Sequence, residues 1–249
     1  MAAPTITKTG SGSSKTTGTT LAITVTTTSY ATGDLLMVGF AMDPSTGTVT
    51  FAQTAGTATI GSWTTLGDTA NGSGTTGVRT ILAYAAVTAA GTITTVTITH
   101  PSVTARAGET FNVNAADGTT PVNCSTAWNG VNPASSLTPT TTGIDVAGLV
   151  FSGGEVASGA TTSTGNVSQS GVPWTDVSLE AASSGTSGAS GSTNISVASD
   201  TVSQTSLTST LIDCAQVFSS VAVTSANVIV ILNGSAPSPG LAALPWLRF

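Results

Sequence analysis

Few side chains in this sequence are of the types that carry out catalysis. His100 is the only histidine among the 249 residues, so a Ser-His-Asp triad would have to use it as its base. No Gly-x-Ser-x-Gly segment occurs, the segment that places the nucleophile of many hydrolases on a sharp strand-to-helix turn. His100 precedes Pro101 at the end of a threonine-rich stretch. We therefore predict a strand-end histidine that is hydrogen-bonded to a loop.

The acidic side chains are scattered singly along the chain. None of the eleven carboxylates lies in an Asp-x-Asx-x-Asx loop of the kind that surrounds calcium with oxygens. Asp176 and Glu180 would serve as a glycosidase pair only if folding brought them together. Asp34 and Asp145 each precede an apolar segment, and we expect their carboxylates to accept hydrogen bonds from turn backbone. The sequence predicts a protein that is not an enzyme and holds no metal or cofactor.

Cys124 and Cys214 are the only cysteines. They form no Cys-x-x-Cys motif, and with a single histidine they cannot assemble a zinc site. We expect both thiols to be reduced and buried. A disulfide formed after release from the cell is the alternative, because the sequence does not define the geometry that such a bond requires.

Tryptophan rings are the remaining candidates for ligand binding, since a flat apolar ring suits the face of a sugar. Trp63 and Trp174 occupy equivalent positions beside predicted strands, so we expect both in the core with hydrogen-bonded indole N–H groups. Trp128, in the segment AWNGVNP, is the candidate for an exposed ring. An exposed Trp128 would make a glycan the ligand.

The charge balance excludes several classes of partner. Charged residues make up 6% of the chain, against about 25% in typical soluble domains, and the net charge is −6. Nucleic acid is excluded, because tracking a phosphate backbone needs more cations than the five present. The longest apolar runs, LLMVGFAM and VIVIL, are far shorter than the roughly 20 residues of a membrane-spanning helix. The N-terminus lacks the basic and apolar regions of a signal peptide, so we expect neither export nor membrane insertion.

Residue alternation predicts β-strands through most of the chain. Leu21, Ile23 and Val25 alternate with alanine or threonine, the period-two pattern of a half-exposed strand. In the stretch 35–42 both the odd and the even positions are apolar, which indicates a central strand covered on both faces. Asn-Gly and Asp-Gly pairs between the segments supply tight turns. Further strands are predicted at 78–87, 92–99, 122–128, 144–151, 193–202, 207–218 and 228–232.

Two parts of the chain repeat one pattern at a spacing of 111 residues. The rare residues that match are Asp34 with Asp145, Phe40 with Phe151, and Trp63 with Trp174. Because these types are infrequent here, their ordered coincidence indicates a duplication. We predict an all-β fold, a jelly-roll-like antiparallel β-sandwich built from two quasi-repeats that bury their apolar faces against each other. Two tandem immunoglobulin-like sandwiches of about 110 residues are the alternative.

The predicted organisation has three parts. Residues 1–19, rich in Gly, Ser and Thr without periodicity, form an extended N-terminal arm, and residues 153–171 have the same flexible composition. Residues 20–235 form the sandwich, with halves at about 20–130 and 131–235 that meet near 129–142. Residues 236–249 form an apolar C-terminal segment, which either folds back on the sandwich or docks in a neighbour. Its candidate assembly contacts are Leu241, Leu244, Trp246, Leu247 and Phe249.

The sequence resembles the β-sandwich structural proteins of tailed bacteriophages over roughly residues 20–235. The resemblance lies in an architecture and a spacing style, carried by the successive segments TGDLLMVGFAMD, GSWTTLGD, VRTILAYAAV, TVTITH, STAWNGVNP and VIVILNG. It implies a virion structural protein, most specifically a capsid decoration or cement protein on the outer shell. Such a protein is made in the host cytoplasm and released with the particle on lysis.

The expected partners are capsid or other virion proteins, with the chain present as a homo-oligomer or a lattice-bound multimer. We expect the N-terminal arm and the C-terminal segment to make the contacts, so that removing either lowers particle occupancy without unfolding the sandwich. The alternative function is a carbohydrate-binding receptor module of a tail fibre or a cell-surface adhesin, with Trp128 exposed. A surface-layer or matrix protein is a third option.

Overall fold

The structure is a computed structural model that describes residues 3–130, 137–155, 175–182, 195–207 and 224–235. It confirms the all-β class, because β-strands account for nearly all of its regular elements and each pairing between them is antiparallel. The only helical element in these ranges is a short 3-10 turn, Gly74–Thr76. The strands in chain order are β1 Thr5–Ser14, β2 Gly18–Tyr30, β3 Leu35–Met42, β4 Thr50–Gly56, β5 Thr59–Ile60, β6 Thr64–Asn71, β7 Val78–Ala89, β8 Gly91–Val103, β9 Arg106–Asn114, β10 Val122–Asn129, β11 Val146–Glu155, β12 Thr175–Ala182, β13 Ile195–Gln204 and β14 Thr224–Asn233.

The strands form two sheets. The first has nine strands in the order β4-β8-β2-β1-β9-β3-β7-β5, with β6 also paired to β7, and the second has five in the order β10-β14-β11-β13-β12. The predicted strand at 207–218 lies almost entirely outside the described residues. Strands β1, β4, β5 and β9 were not predicted from the sequence, and β6 and β12 were expected only as strands beside Trp63 and Trp174, without bounds.

An apolar core lies between the two sheets, here called the inter-sheet core. It takes residues from β3, β7 and β9 of the first sheet and from β11, β13 and β14 of the second, so the halves of the chain pack on each other and do not form two separate sandwiches. The Phe151 ring packs against Gly39, where a Cβ atom would overlap it. The main members of the inter-sheet core are Leu35, Met37, Leu82, Phe111, Leu149, Phe151, Val228 and Val230.

The first sheet curls over itself and encloses a second core, here called the first-sheet core. Residues of β2 and β8 at one end of the sheet pack against residues of β3 and β7 near the other end. All eight residues of β3 are consequently buried, with Leu35 and Met37 in the inter-sheet core and Leu36 and Phe40 in the first-sheet core. This confirms the prediction of a strand covered on both faces.

The predicted N-terminal arm is wrong. Thr5–Ser14 form β1, which lies between β2 and β9 inside the first sheet, and nine of its residues have pairing partners on β9. Gly10 is required by the close approach of β2, because a Cβ atom there would overlap the carbonyl oxygen of Thr24. The Gly, Ser and Thr composition hid the alternation of this strand.

Five neighbouring strands follow the same order in both sheets. In the path β1-β9-β3-β7-β6 of the first sheet, the neighbours are the first, fifth, second, fourth and third of these five strands along the chain. The path β10-β14-β11-β13-β12 of the second sheet has the same order. Residues displaced by 111 nevertheless face different cores: Phe40 lies in the first-sheet core and Phe151 in the inter-sheet core. The duplication of the sequence stays a prediction.

The boundary between the halves is also corrected. We predicted that they meet near residues 129–142, but β10 already belongs to the second sheet, where Trp128 is paired with Asn227 of β14. The chain therefore passes from the first sheet to the second within residues 115–121.

Candidate functional site: an uncharged threonine face

Threonines cover the outer surface of the curled end of the first sheet. Along β2 the apolar Leu21, Ile23 and Val25 point into the first-sheet core, so the residues between them point outward. The same alternation applies to β4 and β8. We call this surface the threonine face; its members are Thr20, Ala22 and Thr24 on β2, Thr95, Thr97 and Thr99 on β8, and Thr50, Ala52 and Thr54 on β4.

Strand register arranges these side chains in rows. Thr99 lies between Thr20 and Thr50 across the three strands, and Thr97 lies between Ala22 and Ala52. Neighbours are about 4.7–4.9 Å apart between strands and about 6.6–6.8 Å apart along a strand, by the general geometry of β-sheets. The hydroxyl oxygens of Thr54 and Thr97 are hydrogen-bonded at 2.9 Å. The face is thus a grid of hydroxyl and methyl groups.

The threonine face carries no ionisable group. Strands β2, β4 and β8 contain no Asp, Glu, Lys or Arg, and His100 of β8 is buried on the inner side. Each threonine hydroxyl donates one hydrogen bond and accepts up to two. The face is therefore suited to contact a partner whose surface is neutral and forms hydrogen bonds. It offers no charge that could pair with a charged partner.

Two aromatic rings lie beneath the edge of this face. Phe51 of β4 and Trp63 are both partly buried against the first-sheet core, with ring centroids 5.4 Å apart. Trp63 therefore packs at the margin of a core and is only partly buried, whereas a position within the core was predicted. Its proposed equivalent Trp174 lies outside the described residues.

A buried arginine anchors the start of β2. The Arg106 guanidinium donates hydrogen bonds to the carbonyl oxygens of Thr16, at 2.6 Å, and of Thr20, at 3.0 Å. Near it, one Asp43 carboxylate oxygen accepts the backbone N–H groups of Thr104 and Ala105. Burial lowers the pKa of Arg106 and raises that of Asp43. These contacts fix the start of β2 and the turn between β8 and β9, which flank the threonine face.

His100 has a structural environment. It is buried, its ring stacks on Phe40 with centroids 5.3 Å apart, and its Nδ1 is 2.7 Å from the carbonyl oxygen of Pro101. We predicted a strand-end histidine hydrogen-bonded to a loop, but His100 lies within β8 and the Pro101 carbonyl that it contacts belongs to the same strand. Burial, helped by the nearby Arg106 charge, lowers the pKa of His100.

Mild acid should therefore destabilise the fold through His100. Because its pKa is lower in the folded state, the unfolded chain binds the proton first, and stability falls as pH drops below about 6.5. Burial raises the pKa of Asp43 and Glu155, which act in the opposite sense at lower pH. We expect the melting temperature to fall more between pH 7.5 and 5.5 in the wild type than in His100→Gln, where the carboxyl contributions are the same. Equal falls in the two proteins would contradict this role.

The prediction of an exposed Trp128 is wrong. Trp128 is only 8% exposed and belongs to an outer core of the second sheet that includes Val150, Ile229 and Ile231. The reason is the alternation of β10: Ala127 packs against the inter-sheet core, so its neighbour turns to the opposite apolar face. Exposure was predicted because the turn-forming pair Asn129-Gly130 follows Trp128 directly.

The two turn aspartates behave as predicted. Asp34 Oδ2 accepts the backbone N–H of Ala31 at 2.8 Å, and Asp145 Oδ1 accepts that of Ser206 at 2.8 Å. Asp34 lies immediately before β3, and Asp145 lies immediately before β11. Their carboxylates define strand starts, which is a structural role.

The other predicted residues give no catalytic grouping. Burial raises the pKa of the half-buried Cys124 thiol to about 11, so a free thiol there stays protonated at neutral pH. Cys214 and the C-terminal contacts Leu241, Leu244, Trp246, Leu247 and Phe249 lie outside the described residues. Within the described ranges, no group of three or more His, Cys, Asp or Glu side chains is suited to a metal ion, and no helix is long and apolar enough to cross a membrane.

No family model, curated protein or solved structure matches the chain.

Proposed function

We propose that this chain is a non-enzymatic virion structural protein, most specifically a capsid decoration or cement protein that attaches to the outer shell of a phage through the threonine face. The observation that supports this best is the uncharged grid of hydroxyl and methyl groups on β2, β8 and β4. A grid of this kind packs on a neutral protein surface without the desolvation cost of charged groups.

Repetition supplies the strength of such an attachment. A single specific contact between proteins buries on the order of 1,000 Å² or more, and many copies on one lattice multiply weak contacts through avidity. The Arg106 hydrogen bonds to Thr16 and Thr20 keep the start of β2 in place, so little ordering is needed on binding. Mechanical support of a shell would follow from bridging adjacent subunits.

The contacts assigned to the chain ends change accordingly. The N-terminal residues form the internal strand β1, so they do not serve as an attachment arm. The C-terminal residues Leu241–Phe249 remain a second proposed contact, on the strength of their apolar sequence. The carbohydrate-binding alternative loses the ring that motivated it, because Trp128 is buried.

The test begins with cryo-electron microscopy of the particle that carries this chain. Density on the capsid lattice at fixed stoichiometry supports the proposal, whereas density at a tail tip or on a cell envelope overturns it. Mutation then tests the face: we expect Thr97→Lys to lower particle occupancy by about tenfold or more, equivalent to about 1.4 kcal/mol, because it places a charge at the centre of the grid.

Thr65→Lys is the matched control, since Thr65 is an exposed strand residue on β6, away from the threonine face. Both variants should retain the wild-type circular dichroism spectrum. Wild-type occupancy by Thr97→Lys would exclude the threonine face as the attachment surface.

A further inference from the structure

The edge strand β4 has an unpaired side. It ends the nine-stranded sheet, with β8 on one side and no strand of the described chain on the other. Thr50, Ala52 and the residues 54–56 are exposed. In an antiparallel sheet alternate residues direct N–H and C=O groups toward each neighbour, so half of these groups on β4 face outward.

This edge lacks most of the features that prevent edge-to-edge pairing. Such edges usually carry Lys, Pro or an inward-pointing charge, and Thr50–Gly56 contains none of these. One protective feature is present, an irregular end of the strand, with register shifts between Gln53 and Ala55 and between Ala55 and Gly56. The regular run available for pairing is therefore 50–53.

The chemistry of the edge favours a second copy of the same chain. Antiparallel pairing of one strand with itself is self-complementary about a twofold axis, and a neutral edge meets its copy without repulsion. On the inner side, the partly exposed Phe51 and Trp63 rings would be covered by the same rings of the copy. On the outer side, Thr50 and Ala52 would continue the rows of the threonine face.

We infer that two copies of this chain associate through antiparallel pairing of β4 with β4, which joins their first sheets into one continuous sheet. The association is weak in solution, since a pairing centred on Ala52 joins only residues 51–53 of each copy and buries less than the ~1,200 Å² of the smallest stable interfaces. It becomes effective where copies are concentrated. The inference does not depend on attachment to a virion.

The test is analytical ultracentrifugation of the full chain over a concentration series. The wild type should show a monomer–dimer equilibrium, and Ala52→Lys should weaken it about tenfold or more, because it brings two ammonium groups together at the twofold axis. Ala22→Lys is the matched control: Ala22 lies in the same row, two strands away from the edge. It should dimerise as the wild type does.

Amide hydrogen exchange supplies a second readout that does not rely on a variant. Exchange at residues 50–53 should slow as protein concentration rises, while exchange in β6 should not change. A wild type that stays monomeric at its highest soluble concentration, equal weakening by both lysine variants, or concentration-independent exchange at 50–53 would each overturn the inference. Dimerisation by a protein that does not bind particles would overturn only the proposed function.

Discussion

A chain that lacks residues 1–19 is expected to lose cooperative folding. The deletion removes β1 from the middle of the first sheet, where it connects β2 to β9. The backbone hydrogen bonds lost on both sides are worth about 0.5–1.5 kcal/mol each, and a typical domain is stable by only about 5–15 kcal/mol. The loss of this one strand is therefore comparable with the entire stability of the protein.

Thermal unfolding monitored by circular dichroism checks this expectation. A chain that lacks only residues 1 and 2 keeps β1 whole and serves as the control. The control should unfold in one sharp transition, while the longer deletion should show no transition or should be insoluble. If the longer deletion melts at the wild-type temperature, the N-terminal residues are an accessory arm and the position of β1 is wrong.

Breaking the buried ion pair between Lys8 and Glu109 is expected to have the next largest effect. Lys8 Nζ lies 2.8 Å from Glu109 Oε1, and the Glu109 side chain is fully buried on the face of β9 that also carries Ala107 and Phe111 of the inter-sheet core. Removing one member of such a pair costs about 3–5 kcal/mol, because the other charge remains in an apolar environment. Lys8→Met should cost more than Glu109→Gln, since 19% of the Lys8 side chain reaches solvent.

Urea denaturation measures these differences in the free energy of unfolding. The double variant Lys8→Met/Glu109→Gln should be destabilised by less than the sum of the single variants, because no uncompensated charge remains. Lys15→Met makes the same chemical change outside β1 and should cost less than about 1 kcal/mol. Additive single effects would contradict direct coupling between the two side chains.

Some elements were predictable because their determinants are local. The alternation around Leu21 and Ile23 defines a half-exposed strand, and the uninterrupted apolar run of β3 requires cover on both faces. Asp34 accepts a backbone N–H within its own turn, so residue type and position before a strand were sufficient there, whereas Asp145 accepts that of Ser206, which lies 61 residues away in the chain. The absence of charged residues on β2 and β8 likewise follows directly from their amino-acid composition.

Other elements depended on residues far away in the chain. β9 contains Arg106 and Glu109, which suggest a loop until backbone carbonyls and Lys8 are seen to compensate their charges. β1 has too few apolar residues to show a period, and its place in the sheet is set by pairing with β9, about a hundred residues further along the chain. Trp128 was misjudged for a related reason: the orientation of β10 is set by its pairing with β14.

The sequence by itself determined the all-β class, most strands, the starts of β3 and β11 and the weakly charged surface, since each follows from residue type and short-range alternation. Only the tertiary structure decided that the N-terminus is an internal strand, that one sheet curls to enclose its own core, and which threonines share a face. Strand register and charge compensation join residues up to about a hundred positions apart, as Lys8 and Glu109 are. No local pattern contains that information, because the free energy of each pairing depends on both strands at once.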